Sequence, residues 1–294
     1  MYSYTMIDTD AAFRSLLEKW KSDAVHTVAM DFEGEFNLHI YGEHLCLIQL
    51  FDTQRFYLVD PLVVSMDLIK EFLEDMSVKK IMFDCASDSA LMRKQYKIQI
   101  NNICDIRIHA LALGFTGGLT LLVDRYLGDV QKGFVGSKKK NQRTNWLKRP
   151  LRAKQIQYAL DDVAHLFALK EILEAEVEKV GLTEEVAKKM ESAGKKTKGE
   201  DRPPWSKFSS WKYLNTSERT LLKHFFIARD ALAKKYNIPA ARILDRQSLL
   251  RMAKEMPQDE SEFYIYCGRK DPRNVKELVA ALMEAKEKAL LELA

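Results

Sequence analysis

Four carboxylates stand where the sequence pattern would place them at or near a buried element, Asp31, Glu33, Asp88 and Asp162, and Tyr158 shares a helical face with the last of them. Asp31 and Glu33 sit inside the apolar run "VAMDFEGEF". Side chains alternate along a strand, so Val28, Met30 and Phe32 share one face while Ala29, Asp31, Glu33 and Glu35 share the other. Two carboxylates about 4 Å apart repel by roughly 4 kcal/mol at an effective dielectric near 20, so the pair calls for compensating charge. Asp88 stands where the buried-strand pattern "KKIMFDCA" gives way to the helical "SDSALMRKQY". Ser87 and Asp88 are both candidate N-caps there, the ordinary use of Ser and Asp at such a place. Tyr158 and Asp162 are four apart and share a helical face with Ile156, Ala159, Leu166 and Leu169 near it. An acid on such a stripe is unusual, and neighbouring Asp161 is expected to be solvated instead.

Four converging carboxylates would be balanced by two divalent cations. Hard oxygen donors with room for water favour Mg²⁺ or Mn²⁺ over zinc. Two such ions roughly 3.5–4 Å apart can activate a water and stabilise the leaving oxygen in phosphodiester hydrolysis.

The elements that must position these residues are legible in outline. "HTVAMDFEGEF", "HLCLIQLFD" and "RFYLVDP" are three strand-like runs with short connections, expected as an antiparallel meander. Helical and strand patterns then alternate through "INNICDI", "RIHALALG" and "LTLLVDRYLG". A long amphipathic helix is expected from Leu151 to Gly181. Strands first as a meander, then alternating with helices, predict an α/β domain with a mixed sheet over residues 1–191. A polar, Gly- and Pro-containing linker over 192–210 precedes a small all-α domain over 211–294.

Charge is uneven. The net charge is +4, made of −2 over residues 1–190 and +6 over 191–294. Residues 131–160 hold nine Lys or Arg and no acid. Lys138, Lys139, Lys140 and Arg143, with Phe134 and Trp146 among them, are the candidate nucleic-acid contacts: cations for phosphates, aromatics for stacking on bases. The four cysteines form no CxxC pair and are expected as reduced core thiols rather than zinc ligands. No apolar run approaches the roughly 20 residues of a membrane helix. The first residues lack the basic start and apolar core of a secretory signal, so a cytoplasmic protein is expected.

The set "DFE" at Asp31–Glu33, "SDSALM" around Asp88 and "YALDD" at Tyr158–Asp162 resembles the three motifs of the DEDD 3′–5′ exonucleases. Its Tyr-x-x-x-Asp form points to the tyrosine subclass and within it to the ribonuclease D type. The stretch "LLKHFFIARDALAKKYNIPAARILDRQSLLRMAKEMP" resembles the HRDC domain. The resemblance implies a ribonuclease H-like fold for the first domain and an exoribonuclease that trims single-stranded 3′ ends of structured RNA such as tRNA precursors. It also implies that Asp31, Glu33 and Asp162 bind the catalytic metal pair, that Asp88 binds the second metal directly or through water, and that Tyr158 orients the attacking water. Glu35 has no place in the motif and is left near the ligands or facing solvent. Phe83 stands where family members often carry a histidine, and Asp84 is the rival second-motif acid. DNA remains an alternative substrate, since nothing in the sequence reads a 2′-hydroxyl. A catalytically inactive nucleic-acid-binding scaffold is a further alternative, disfavoured by the intact acid set.

Overall fold

The computed structural model describes residues 2–128, 143–267 and 272–294, with side chains of the last segment from residue 275. It resolves into two compact units, one of residues 1–35 and 43–197, the other of residues 36–42 and 198–294.

Among the described residues, the first unit is built on six strands: β1 (Tyr4–Ile7), β2 (Thr27–Phe36), β3 (Glu43–Phe51), β4 (Phe56–Val59), β5 (Lys79–Met82) and β6 (Ile103–Asp105). They form one mixed sheet in the order β1-β4-β3-β2-β5-β6. The pairs β1–β4, β2–β5 and β5–β6 are parallel and β3–β4 is antiparallel. Among the described residues, helices α1 (Asp10–Ser22), α2 (Met66–Glu74), α3 (Ala86–Leu91), α4 (Ile106–Ala112), α5 (Leu119–Leu127), α6 (Ala153–Ala164), α7 (Leu166–Lys179) and α8 (Thr183–Met190) accompany the sheet.

Alternation along the strands divides the core in two. Val28, Met30 and Phe32 of β2 pack with Phe13, Leu16 and Trp20 of α1 and with Ile69 and Phe72 of α2. Ala29, on the opposite face, packs with Cys104, Ala110, Tyr158, Ala159, Leu160, Leu169 and Leu173. The face that carries Ala29 is therefore the one toward which Asp31 and Glu33 project, and α6 covers it. The helix expected to run unbroken through this region is two helices, because the chain turns at His165 (φ −105°, ψ −2°).

Residues 192–197 are built into the first unit. Gly194 takes φ +68°, and a Cβ there would lie 2.2 Å from Ile103 Cδ1, so both conformation and space require glycine. Arg93 and Gln99 both donate to its carbonyl.

The second unit is helical: α9 (Thr216–Tyr236), α10 (Ala240–Ile243), α11 (Arg246–Glu255), α12 (Glu260–Cys267) and α13 (Pro272–Leu293). Phe208, Leu221, Phe225, Leu249, Met252, Phe263 and Leu282 form its core. Asn215 and Glu218 cap α9 reciprocally, each side chain bonding the other's backbone N–H at 2.9 Å. Among the described residues, no helix is long and apolar enough to cross a membrane.

Candidate active site

The register Thr27↔Lys79, Val28↔Lys80, Ala29↔Ile81 sets β2 beside β5, parallel and in step. β5 ends at Met82 while β2 runs on, so Asp31 and Glu33 lie just where β5 gives way to α3 and Asp88. Asp31 is half-buried and Glu33 is buried. From the covering helix α6, Tyr158 and Asp162 are both buried, one helical turn apart.

The electrostatics of Tyr158 report the convergence. Burial, and then the negative charges of Asp162, Glu33 and Asp31, push its phenol well above the ordinary tyrosine range, and its hydroxyl bonds the Asp162 carboxylate. Charges on β2 and on α6 act on one oxygen only if the fold brings the two elements together. At neutral pH the phenol keeps its proton.

Asp88 lies in the first turn of α3, whose N-cap position is taken by Cys85 rather than by Ser87 or Asp88. Burial, then the charges of Asp84 and Asp105, push its carboxyl up to about 7. Asp84 has φ +63°, a left-handed backbone that Asp tolerates better than most residues. The Asp105 carboxylate braces this turn by accepting from the Asp84 and Cys85 amides at 2.8 and 3.1 Å. Asp84 itself reaches Arg107, whose Nε lies 3.5 Å from Oδ2, and the same guanidinium stands over the Phe83 ring. Asp84 thus has a cationic partner at the surface, whereas Asp88 is held among like charges.

Two placements differ from expectation, and one left open is narrowed. Asp161, expected in solvent, is buried and accepts from Gln157 Nε2 at 3.0 Å, because α6 is covered on more than its apolar stripe. For Glu35, left open between a place near the ligands and solvent, burial excludes solvent, and its charge acts on the Cys46 thiol of neighbouring β3. Trp146 offers no face to a base: it is fully buried, with its ring centroid 6.1 Å from that of Tyr158. Its place is behind the tyrosine, where it limits the ring's freedom. Arg143 is exposed. Phe134, Lys138, Lys139 and Lys140 lie outside the described residues.

Sequence patterns gave no sign of the clamp that holds the approach to α6. Arg149 grips Asp60 with two bonds, Nε to Oδ2 at 2.5 Å and Nη2 to Oδ1 at 2.7 Å. The same guanidinium donates to the carbonyls of Cys46 and Trp146 at 2.7 Å each. Gln155 adds a second tie, donating to Thr144 Oγ1 at 3.2 Å and accepting from Arg152. Asp60 is buried, so Arg149→Met leaves a carboxylate without its cation. The expected cost is about 3 kcal/mol, read as an earlier unfolding transition of the first unit in denaturant. Arg149→Lys should recover only part of it, because an ammonium cannot make the bidentate pair. A loss under 1 kcal/mol for Arg149→Met would show that the clamp is incidental.

Comparison with known proteins places this geometry. Residues 4–178 match the 3′-5′ exonuclease family and residues 218–285 match the HRDC domain. The chain is 31% identical over 244 residues to ribonuclease D of Haemophilus influenzae, covering 80% of this chain and 59% of that protein. It thus spans about three fifths of the length of that relative. The crystal structure of Escherichia coli RNase D, described as an exoribonuclease involved in structured RNA processing, superposes with a TM-score of 0.74 at 25% identity, covering 97% of this chain and 75% of that one. The catalytic core of RRP6 from Trypanosoma brucei shares the fold, with a TM-score of 0.77 at 19% identity over 98% of this chain and 81% of that one.

Proposed function

Since the chain belongs to the 3′-5′ exonuclease family, we propose that it is an exoribonuclease of the ribonuclease D type, removing nucleotides one at a time from the single-stranded 3′ ends of structured RNA such as tRNA precursors. The observation that carries this is that the charges of Asp162, Glu33 and Asp31 all act on the buried Tyr158, whose hydroxyl bonds Asp162. Family members depend on divalent metal. The donor set here fits that dependence, since all of its candidates are hard carboxylate oxygens, suited to Mg²⁺ or Mn²⁺. Asp31, Glu33 and Asp162 would hold the pair, with Asp88 on the second ion directly or through water. When bound, the ions lower the pKa of the attacking water and stabilise the leaving oxygen.

The chain's own residues do the rest. Tyr158 holds its proton and directs it to Asp162, so its oxygen remains free to accept a hydrogen bond from water and align it. A phenol held above its ordinary range is not a base at neutral pH, and its contribution is orientation. Water adds to the terminal phosphorus, the P–O3′ bond breaks, and a nucleoside 5′-monophosphate leaves. The net charge of +6 over residues 191–294 suits phosphate contacts with the body of the RNA.

The test is a time course on matched 5′-labelled RNA and DNA oligonucleotides with Mg²⁺, Mn²⁺ or EDTA. A metal-dependent ladder shortening from the 3′ end of RNA is expected. An equal or faster ladder on DNA would overturn the RNA assignment, and retained binding without any ladder would reduce the chain to a nucleic-acid-binding scaffold.

A further inference from the structure

Away from the carboxylates, a cavity of about 580 Å³ opens beside the edge strand β6. Its walls include Cys104 of β6, His109 of α4, Glu174 of α7 and Met190 at the end of α8. One donor atom from each of Cys104, His109 and Glu174 lies within 4.8 Å of the other two. Cys104 and His109 are each 5% exposed, whereas the Glu174 side chain is 44% exposed and stands at the mouth of the cavity. His109 Nδ1 is buried and makes no hydrogen bond of normal geometry, with the Asp105 backbone near enough to act on the ring, a strained arrangement that native interiors rarely tolerate without a reason. The Met190 thioether is already engaged, accepting from the Asp105 amide at 3.1 Å. Lys170 holds Glu174 through Oε2 at 2.6 Å.

We propose that Cys104, His109 and Glu174 form a binding site for one borderline divalent cation of the zinc class, distinct from the carboxylate centre. A sulfur, a nitrogen and an oxygen donor together select such an ion over Mg²⁺ or Mn²⁺, which avoid thiolate. Tetrahedral bonds of about 2.0–2.3 Å require donors about 3.3–3.8 Å apart, so the three groups draw in by about an ångström on binding. The cavity leaves room for a water as fourth ligand. Binding forms a sulfur–metal bond and releases the Cys104 thiol proton to solvent. Lys170 keeps its bond to Oε2 while the carboxylate meets the ion through its other oxygen.

The ion would join β6 to α4 and α7. Its structural consequence follows from the chain: Asp105, next to Cys104, is the residue that braces the Asp84–Cys85 turn from which Asp88 arises. A metal at Cys104 therefore stiffens the support of the second-motif acid without touching it. The ligands come from a strand, the next helix and a helix some seventy residues on, which is why cysteine spacing gave no indication of the site.

The experiment is a Co²⁺ titration of the full chain under reducing conditions, followed by absorption. Saturation near one equivalent is expected to bring up a thiolate-to-Co²⁺ charge-transfer band with the visible bands of a tetrahedral ion, and Zn²⁺ should displace both. Cys104→Ser should abolish the charge-transfer band. His109→Gln and Glu174→Gln should each weaken binding by about tenfold or more. Asp31→Asn should leave the band intact, since oxygen ligands give no thiolate transition. Far-UV circular dichroism checks that each variant folds; should Cys104→Ser not fold, Glu174→Gln, at a largely exposed position, carries the test. Absence of the band at tenfold Co²⁺, its survival in folded Cys104→Ser, or unaltered affinity in both His109→Gln and Glu174→Gln would overturn the site.

Discussion

Asp31→Asn is expected to slow hydrolysis of a 5′-labelled RNA oligonucleotide by at least about 10³-fold, with thermal unfolding of the metal-free protein unchanged or slightly improved. Asn has the shape of Asp, so β2 keeps its pairing with β5 and its packing. What disappears is one negative charge from a group of three acting on Tyr158. In metal-free buffer that loss relieves repulsion, which at about 4 Å and an effective dielectric near 20 is a matter of a few kcal/mol before solvent screening. With Mn²⁺ present the sign reverses: the wild type gains stability by binding an ion that the variant holds poorly. A metal-induced rise in unfolding temperature, large in the wild type and small in Asp31→Asn, would tie the activity loss to the ligand set. A variant with near-normal turnover would refute the assignment of Asp31 to the metal pair.

Tyr158→Phe is the second large effect. Phe keeps the contact with Trp146 and removes only the hydroxyl, so the fold should persist while turnover falls about 10²-fold. Asp162 loses a donor, which costs about 1–3 kcal/mol where a buried carboxylate is left short of a bond. The pH dependence separates orientation from base catalysis. Because burial and three carboxylates hold the phenol above its ordinary range, the ratio of wild-type to variant rates should stay constant from pH 6 to pH 10. A ratio that climbs with pH would mean that the tyrosinate form acts, against the role assigned to this residue.

The candidate constellation was legible because its members announce themselves by local period. Alternation along "VAMDFEGEF" put Asp31 and Glu33 on the face opposite Val28, Met30 and Phe32, and the two core clusters divide along that line. The four-residue step from Tyr158 to Asp162 likewise fixed a shared helical face. Other features had no such signature. β1 completes an edge of the sheet and α1 supplies Phe13, Leu16 and Trp20 to the core, yet neither stood out from the opening residues. Lys80, in the middle of β5, is fully buried, its ammonium over the Phe72 ring and bonded to the Asp75 carbonyl. A lysine in a strand pattern signals a solvent-facing position unless a partner is known in advance.

By itself, then, the sequence determined which residues are candidates for the proposed chemistry, which kinds of element hold them, and where one unit gives way to the other in broad terms. Period and composition act over a few residues, and these properties are local. Tertiary structure alone decided which elements meet: that the charges of Asp162, Glu33 and Asp31 act on one tyrosine, that Trp146 backs Tyr158 instead of stacking on a base, that Arg149 closes on Asp60 from 89 residues away, and that Cys104, His109 and Glu174 share one cavity. Such pairings depend on the order of strands in the sheet and on which helix covers which face. Chain-local patterning says that a side chain points inward; only the closed fold says what it finds there.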